Sequence, residues 1–571
     1  MTLRPNLLVL LAPAMVITLS VGLFSPAARA EHHKDAEAAE TKDEKDGKDA
    51  EAAAEKDSKE KKPAVTRGTV KLRSGADFEY RAEAGEITLR ENDGKPSARV
   101  FYVAYVADYP DGEKPDAARP VTFCFNGGPG SCAVWLHLGG LGPHRIAIPN
   151  KGTGYPSPPY ALTPNPDTLL ANSDVVFIDP VSTGYSRPEE EKDAKNFHGI
   201  NEDVESVGDF IRRYVTEHHR WSSPKYLLGE SYGAVRACGL AEHLQDRYGM
   251  YLNGVCLLSG LIDYQAVMDR GGNDLPYVTF LPALAATAAW HGRANVGMPH
   301  EDLDDQVRDF ATGAYSQALH LGDRISDQQR QAVAEELSKF TSISTQRILE
   351  ADLRISPSFF RKELLRSEEK VLGRYDARVV GPAISPLDAT PWIDPSYDNV
   401  YGAFASTINA YLSDELGFES ENGRPYEILT RKVHPWNYKP FENRYASVAP
   451  RLRGAMVQNP HLKVLVLCGR YDLATPAGAM EYSIAQLDLP EDRRELIDFA
   501  YYEGGHMMYT NPEAMKQLGT DLGRWIGPPP AAKDPEQGPA KPKPAPKSEP
   551  KPEQEQEPKT KPDPKKRPNK A

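Results

Sequence analysis

A serine stands between two glycines in the stretch GESYG at residues 229–233. Residues 224–228 before it form a short apolar run that suits a buried strand, and residues 234–248 after it have apolar side chains at roughly helical spacing. A tight turn between a strand and a helix strains the backbone of its central residue, and the neighbouring positions then have no room for side chains. The stretch therefore predicts a nucleophile, Ser231, of the α/β-hydrolase type.

Short apolar runs elsewhere in the chain predict a mostly parallel sheet. They occupy residues 121–125, 173–178, 225–228, 254–258 and 463–467, and helical patterns such as residues 201–218 separate several of them. This alternation is typical of an α/β fold in which helices cover both faces of the sheet. Residues 69–108 alternate polar and apolar side chains around glycine-containing turns, which predicts antiparallel strands at the N-terminal side.

The segment between the fourth and fifth of these runs has a different pattern. Residues 263–459 contain few strand signals and several amphipathic helix patterns, including residues 301–321 and 327–340. We expect a helical cap insertion there, because ligands bind beyond the carboxyl ends of parallel strands and a cap at that edge shapes the pocket. The α/β-hydrolase core then has two parts, residues 64–262 and 460–526.

Both ends of the chain differ from this ordered part. Residues 1–30 contain an early arginine, an apolar stretch and the sequence Ala28-Arg29-Ala30, which predicts a secretory signal cleaved before Glu31. An uncleaved anchor is the alternative, since the apolar stretch is long for a signal. No other segment is apolar enough to span a bilayer, so we expect a secreted or periplasmic protein without a transmembrane domain in its mature form.

Two charged segments predict disorder. Residues 31–63 consist mainly of Glu, Asp, Lys and Ala, and residues 527–571 are rich in Pro and Lys. Neither segment can bury enough apolar surface to offset its ordering entropy. The C-terminal tail is interpreted either as a solvated spacer or as a weak tether to an anionic envelope or wall surface.

Charge and cysteine content exclude several classes of protein. The formal net charge is −13, and an acidic chain of this kind disfavours nucleic acid as the main partner. Five cysteines are an odd number, so at least one thiol stays free in an exported protein. Their spacing does not match a zinc site. We expect neither a metal nor another cofactor.

A nucleophilic serine needs a base, and the base needs an orienting carboxylate. In α/β-hydrolases these follow along the chain in the order serine, acid, histidine. Asp472 lies just past the strand predicted at residues 463–467, and His506 lies in a glycine-rich loop before the predicted final helix at residues 512–525. Ser231, Asp472 and His506 are therefore the predicted triad. A structural role for Asp472 as a loop cap is the alternative.

Glycines after the first parallel strand predict an oxyanion hole. The run NGGPG at residues 126–130 directly follows the strand predicted at 121–125. Glycines allow the backbone to approach a reacting carbonyl, and the residue after the nucleophile supplies a second amide. We expect the amides of Gly128 and Tyr232 to be the donors. An ordinary strand-ending turn is the alternative.

With these blocks in order, the chain resembles the serine carboxypeptidases over about residues 100–520. The matching blocks are NGGPGS at 126–131, VFIDP at 176–180, GYS at 184–186, GESYG at 229–233, Gly469 with Asp472, and GHM at 505–507. The resemblance implies an α/β-hydrolase that removes single residues from peptide C-termini through an acyl-enzyme. Its partners would be peptides with a free C-terminal carboxylate.

The resemblance also implies a set of substrate-binding residues. In the family, the residues that match Asn126 and Glu230 hydrogen-bond the terminal carboxylate, and Gly127 is included in the predicted site. Met507 is predicted from its position to border the site of the leaving residue, and packing beside the histidine is the alternative. An ionised Glu230 would repel a carboxylate, so we expect the protonated acid to bind and activity to be best at acidic pH. The chain departs from eukaryotic members at Gly140, where they have a partner glutamate, and this leaves the pKa of Glu230 open.

The sequence therefore favours an exported serine carboxypeptidase. Relatives with the same machinery transfer acyl groups or cleave esters, so a serine esterase or acyltransferase is the main alternative. A non-catalytic binding protein that retains the fold is the third interpretation, and the complete set of catalytic residues disfavours it.

Overall fold

The computed structural model describes residues 62–109, 116–385 and 391–527. The predicted signal peptide, nearly all of the charged linker and nearly all of the tail lie outside the described residues. The strands within them are β1 Ala64–Lys71, β2 Asp77–Arg90, β3 Pro96–Ala107, β4 Val121–Phe125, β5 His144–Ile146, β6 Leu162–Pro164, β7 Asp174–Ile178, β8 Arg187–Pro188, β9 Lys225–Glu230, β10 Gly254–Leu258, β11 Lys370–Leu372, β12 Val380–Pro382, β13 Lys463–Gly469 and β14 Ile497–Tyr502.

Ten of these strands in the described part of the chain form one sheet. Its order is β1-β2-β3-β7-β4-β9-β10-β13-β14, and β8 pairs with the outer part of β3. The parallel strands of this sheet are β7, β4, β9, β10, β13 and β14, in that order. Strands β1, β2 and β3 are antiparallel to one another, and β3 is antiparallel to β7. The mostly parallel sheet with antiparallel N-terminal strands is confirmed.

Register brings the carboxyl ends of the central strands to one edge. Phe125 at the end of β4 pairs with Gly229 of β9, and Leu258 at the end of β10 pairs with Glu230 of β9 and with Leu467 of β13. All residues of β4, β7, β9 and β10 are buried, as expected for strands that are covered on both faces. The loops that leave this edge therefore meet over the sheet.

Helices connect the strands. In the described residues they are α1 Val134–Leu136, α2 Ile200–Glu217, α3 Tyr232–Tyr248, α4 Leu275–Trp290, α5 His300–Phe310, α6 Ser316–Leu321, α7 Asp327–Thr341, α8 Thr345–Glu350, α9 Pro357–Glu363, α10 Pro395–Ala410, α11 Ala449–Gln458, α12 Ala477–Ala485, α13 Glu491–Arg494 and α14 Pro512–Ile526. Apolar residues of α2, α3 and α11 pack on one face of the sheet, and those of α10 and α14 pack on the other. Helices on both faces are thus confirmed.

The segment between β10 and β13 is mainly helical and contains the small β11-β12 hairpin. Apolar side chains of α4, α5 and α7 form a separate hydrophobic cluster there, which also includes Tyr471 and Leu473. These two residues flank Asp472, so the cluster supports the loop that contains the predicted triad acid. The limits at residues 263 and 459 stay a prediction.

One predicted helix is less regular than expected. The pattern over residues 301–321 gives two α-helices, α5 and α6, which are joined by a π-helical turn at Ala311–Tyr315. A π-helical turn inserts an extra residue while the helix continues in the same direction. The spacing of the apolar residues changes too little for the sequence to reveal the turn.

All five cysteines lie within the described residues, where they are buried and have free thiols. A buried free thiol packs as a small apolar side chain. Within the described ranges, none of the helices combines the length and the apolar composition that crossing a membrane requires.

Candidate active site

Ser231 lies on a strained turn between β9 and α3. Its backbone has φ 60° and ψ −125°, a region that residues with side chains rarely occupy. A Cβ at Gly229 would lie 2.1 Å from the carbonyl oxygen of Gly233, and a Cβ at Gly233 would lie 2.8 Å from that of Phe125. Both glycines are therefore required by the close approach of backbone, and the turn has the conformation that the sequence predicts.

The predicted base and acid contact each other directly. Nδ1 of His506 lies 2.7 Å from Oδ2 of Asp472, and both side chains are almost fully buried. The other oxygen of Asp472 accepts hydrogen bonds from the backbone amides of Ala474 and Thr475, at 2.7 and 3.0 Å. Asp472 thus caps its own loop and also orients the histidine, so the two interpretations of this residue are compatible.

Neighbouring loops fix the histidine in place. The backbone N–H of His506 donates to the carbonyl of Tyr375, at 2.5 Å, and its carbonyl accepts from the hydroxyl of Ser259, at 2.8 Å. The hydroxyl of Thr475 lies 2.9 Å from Asp472 Oδ2 and 3.1 Å from His506 Nδ1. Thr475 is not predicted from the sequence, although its position three residues after the acid is a usable signal.

The charge around His506 favours its protonated form. Burial by itself lowers the pKa of the imidazole, but the neighbouring carboxyl groups of Asp472 and Glu230 outweigh burial, and the pKa is raised. A raised pKa makes the ring a stronger proton acceptor once it is neutral. This is the behaviour required of a general base beside Ser231.

The glycine-rich loop after β4 packs against the elbow. A Cβ at Gly127 would lie 2.4 Å from the backbone nitrogen of Tyr232, and Gly128 has φ 104°. The two predicted oxyanion donors, the amides of Gly128 and Tyr232, therefore belong to adjacent backbone segments. The sequence also does not reveal Arg236, whose guanidinium donates to the carbonyl of Asn126 at 2.7 Å and anchors this loop to α3.

Glu230 is buried beside the nucleophile, with 3% of its surface exposed. One carboxyl oxygen accepts a hydrogen bond from the hydroxyl of Tyr509, at 2.7 Å. Burial raises the pKa of Glu230 to about 7, while His506, Tyr509 and Asn126 partly counteract this rise. The side-chain Nδ2 of Asn126 is buried and forms no hydrogen bond of normal geometry within the described part of the chain. It remains available to a bound group.

Tyr509 occupies the space beside Gly139 and Gly140. A Cβ at Gly139 would lie 2.3 Å from the Tyr509 ring, and a Cβ at Gly140 would lie 2.5 Å from the sulfur of Met515. There is no room for a glutamate at Gly140 in this arrangement, and the Tyr509 hydroxyl supplies the hydrogen bond to Glu230. Tyr509 is not predicted from the sequence. The adjacent pair Gly139-Gly140, which leaves room for its ring, is the signal that could have indicated it.

One cavity of about 110 Å³ brings most of the predicted residues together. Its lining includes Asn126, Gly127, Gly128, Glu230, Ser231, His506 and Met507. Asp472 lies behind the histidine and does not line the cavity. The catalytic and binding roles of these residues stay predictions.

Several aromatic and apolar residues at this cavity are not anticipated from the sequence. They are Trp135, Tyr375, Tyr397 and Leu429, and Arg374 lies with them. The Tyr375 ring centroid lies 5.2 Å from that of His506. Most of these residues come from the segment between β10 and β13, where helix patterns do not indicate which side chains reach the sheet edge. Among the described residues, no group of three or more His, Cys, Asp and Glu side chains is arranged to bind a metal ion.

The mostly parallel sheet with helices on both faces is the fold of the α/β-hydrolases. The profile of the Peptidase_S10 family, described as serine carboxypeptidase, matches residues 76–517. The chain therefore belongs to the serine carboxypeptidase family and is a hydrolase of the serine-type carboxypeptidase class.

Solved structures of similar fold are α/β-hydrolases with low sequence identity. A soluble variant of monoglyceride lipase from Saccharomyces cerevisiae is 13% identical, with a TM-score of 0.32 and coverage of 77% of this chain and 94% of that chain. Proline iminopeptidase from Mycobacterium smegmatis is 14% identical, with a TM-score of 0.31 and coverage of 77% and 99%. A carboxyl esterase from Bacillus coagulans is 13% identical, with a TM-score of 0.31 and coverage of 78% and 99%. No curated protein matches the chain.

Proposed function

We propose that this protein is an exported serine carboxypeptidase that releases C-terminal residues from peptides through an acyl-enzyme. The observation that supports it most is Glu230, a buried carboxyl group adjacent to Ser231, whose pKa is raised to about 7. A carboxyl group of this kind stays protonated in mildly acidic solution. It can then donate a hydrogen bond to the carboxylate at the end of a peptide.

The chemistry begins with Ser231. Its Oγ attacks the carbonyl carbon of the last peptide bond while its proton moves to Nε2 of His506. Asp472 accepts the Nδ1–H of the ring and stabilises the imidazolium. The amides of Gly128 and Tyr232 donate to the oxyanion of the tetrahedral intermediate.

Collapse of this intermediate breaks the peptide bond. His506 gives its proton to the leaving amine, which departs as the free C-terminal residue, and the shortened peptide remains esterified to Ser231. Water then attacks the ester carbonyl, with His506 as the base, and the second tetrahedral intermediate releases the acid and restores the hydroxyl of Ser231.

Recognition of the chain end explains why each cleavage would release a single residue. Protonated Glu230 and Nδ2 of Asn126, which makes no hydrogen bond of normal geometry within the described residues, together offer two donors to a terminal carboxylate. A cavity of about 110 Å³ is small beside the about 300–1,000 Å³ typical of pockets for larger ligands. If an internal peptide bond lay at Ser231, the rest of the peptide chain would occupy the position of the carboxylate, and the two donors would have no anionic acceptor.

Proton balance in the site sets the expected pH dependence. The reaction needs neutral His506 and protonated Glu230, and because the two groups interact, they titrate as a coupled pair. We expect kcat/KM for peptides to rise as the pair loses its first proton and to fall as it loses the second.

Export is the second part of the proposal. It is supported by residues 1–30, whose apolar stretch ends in Ala28-Arg29-Ala30. Expression in a bacterial host and mass spectrometry of the exported protein should give an N-terminus at Glu31. An intact Met1 in a membrane fraction would favour the uncleaved anchor.

Digestion of a peptide library, read by mass spectrometry, tests the activity directly. We expect successive loss of single residues from the C-terminus and no internal fragments. Ser231→Ala should abolish this activity together with labelling by a fluorophosphonate probe. Hydrolysis of esters alone, unaffected by Glu230→Gln, would refute the peptidase assignment and favour the esterase.

A further inference from the structure

One exposed cation lines the catalytic cavity. Arg374 shares that lining with Ser231, His506 and Glu230, and its side chain is exposed. Arginine is charged at every physiological pH, whereas Glu230, with a pKa raised to about 7, changes its charge within the physiological range. The cavity therefore has a permanent positive charge at its opening that the proposed mechanism does not use.

The backbone at Arg374 is fixed relative to the catalytic loops. Its N–H donates to Oδ1 of Asp394, at 2.9 Å, and its carbonyl accepts from the N–H of Leu473, at 3.0 Å. Leu473 directly follows the predicted triad acid. The next residue, Tyr375, accepts from the N–H of His506. Arg374 is thus tied to the loops of both the acid and the base, which is what a specificity-determining residue requires.

The guanidinium is not neutralised by a neighbour. Its central carbon lies 5.3 Å from the centroid of the Tyr375 ring, a stacking distance that orients the group. Among the described residues, no carboxylate oxygen lies within 4.0 Å of the Arg374 guanidinium. Two acidic residues near it have other partners: Asp376 pairs with Arg378 at 2.7 Å, and Asp394 accepts from the backbone of Arg374 and from the N–H and hydroxyl of Ser396.

We infer that Arg374 selects peptides with an acidic side chain next to the scissile bond, at the last or the penultimate residue. The inference rests on the proposed carboxypeptidase function. Glu230 and Asn126 are occupied by the terminal carboxylate, so a second carboxylate in the substrate would meet the Arg374 guanidinium. A guanidinium binds a carboxylate through two parallel N–H···O hydrogen bonds, which gives directional preference as well as charge attraction.

Matched peptides that differ in one side-chain charge test this inference. We would measure kcat/KM for N-acylated Phe-Glu against Phe-Gln, which changes the last residue, and for Glu-Leu against Gln-Leu, which changes the penultimate one. In one of these pairs, the acidic peptide should be preferred about two- to fivefold at low salt. The preference should decrease in 0.5 M NaCl, because the pair is exposed to solvent.

Variants of the arginine separate its charge from its packing. Arg374→Gln should abolish the preference, measured as the ratio of kcat/KM between the two peptides of a pair, and Arg374→Lys should restore part of it. The matched control is Arg324→Gln, because Arg324 is an exposed arginine outside the cavity whose guanidinium donates to the carbonyls of His320 and Leu321. It should leave the preference unchanged.

The outcomes distinguish this inference from the function on which it rests. Cleavage of neutral peptides with an acidic preference that Arg374→Gln does not alter would overturn the inference alone. Equal loss of activity toward all four peptides in Arg374→Gln would also overturn it, because the arginine would then bind the terminal carboxylate. Failure of the wild-type protein to cleave any of the four peptides would refute the proposed function, and the inference with it.

Discussion

Replacing Tyr509 by phenylalanine should raise the pH at which peptide cleavage declines. The substitution removes the hydroxyl that donates to Glu230 at 2.7 Å and keeps the ring that fills the space beside Gly139 and Gly140. A hydrogen bond to a charged group stabilises by about 1.5–3 kcal/mol and one to a neutral group by about 0.5–1.5 kcal/mol. The donor therefore favours ionised Glu230 by about 1–1.5 kcal/mol, which corresponds to about one pH unit.

The assay is the pH dependence of kcat/KM for one N-acylated dipeptide. Without the hydroxyl, the pKa of Glu230 should rise from about 7 to about 8, and the alkaline limb of the profile should move with it. An ester substrate without a free carboxylate should show no such movement. Tyr315→Phe is the matched control, because it removes a buried hydroxyl bond of the same length, to the carbonyl of Leu353, away from the site. An alkaline limb that stays in place, or moves to lower pH, would refute this role of Tyr509.

Three further predictions follow from the same geometry. Asp472→Asn should lower kcat by about 10⁴-fold with little change in folding, because the amide cannot fix the His506 tautomer; a loss below tenfold would contradict the triad. Glu230→Gln should stabilise the fold above pH 7 by about 3 kcal/mol relative to wild type and have little effect near pH 4.5. Because the pKa of Glu230 is raised to about 7 in the folded state, the stability of the wild type falls as the pH rises from 4.5 to about 7. The same difference in urea midpoint between Glu230→Gln and wild type at pH 4.5 and at pH 8 would refute this prediction. Gly229→Ala should abolish activity and lower the melting temperature, since its Cβ would lie 2.1 Å from the Gly233 carbonyl; a fully active variant would exclude the close approach of backbone.

The sheet could be predicted well because its strands are short apolar runs with clear limits. Residues 121–125 and 254–258 coincide with β4 and β10. The last strand, β14, was missed, because Ile497–Tyr502 mixes polar and aromatic residues and lies at the edge of the sheet. A continuous apolar run indicates a strand that is buried on both faces, and the edge strand β14 lacks such a run.

The candidate site could be predicted where chemistry requires a specific residue in a specific turn. Ser231 and Asp472 follow strands at the same sheet edge, and His506 lies in a glycine-rich loop before the last helix, so local patterns identified them. Tyr509 and Arg374 could not be identified in this way. Their importance depends on contacts across long sequence separations, such as the 279 residues between Tyr509 and Glu230, and one sequence does not reveal such contacts.

The central claim is that Glu230 and Asn126 make this enzyme recognise a free C-terminal carboxylate. Its most direct test compares kcat/KM at pH 5.5 for one N-acylated dipeptide as the free acid and as the C-terminal amide. Two hydrogen bonds to a charged carboxylate predict that the acid is cleaved about a hundredfold faster, and that Glu230→Ala removes most of this difference. Cleavage of the amide at the same rate as the acid would contradict the account.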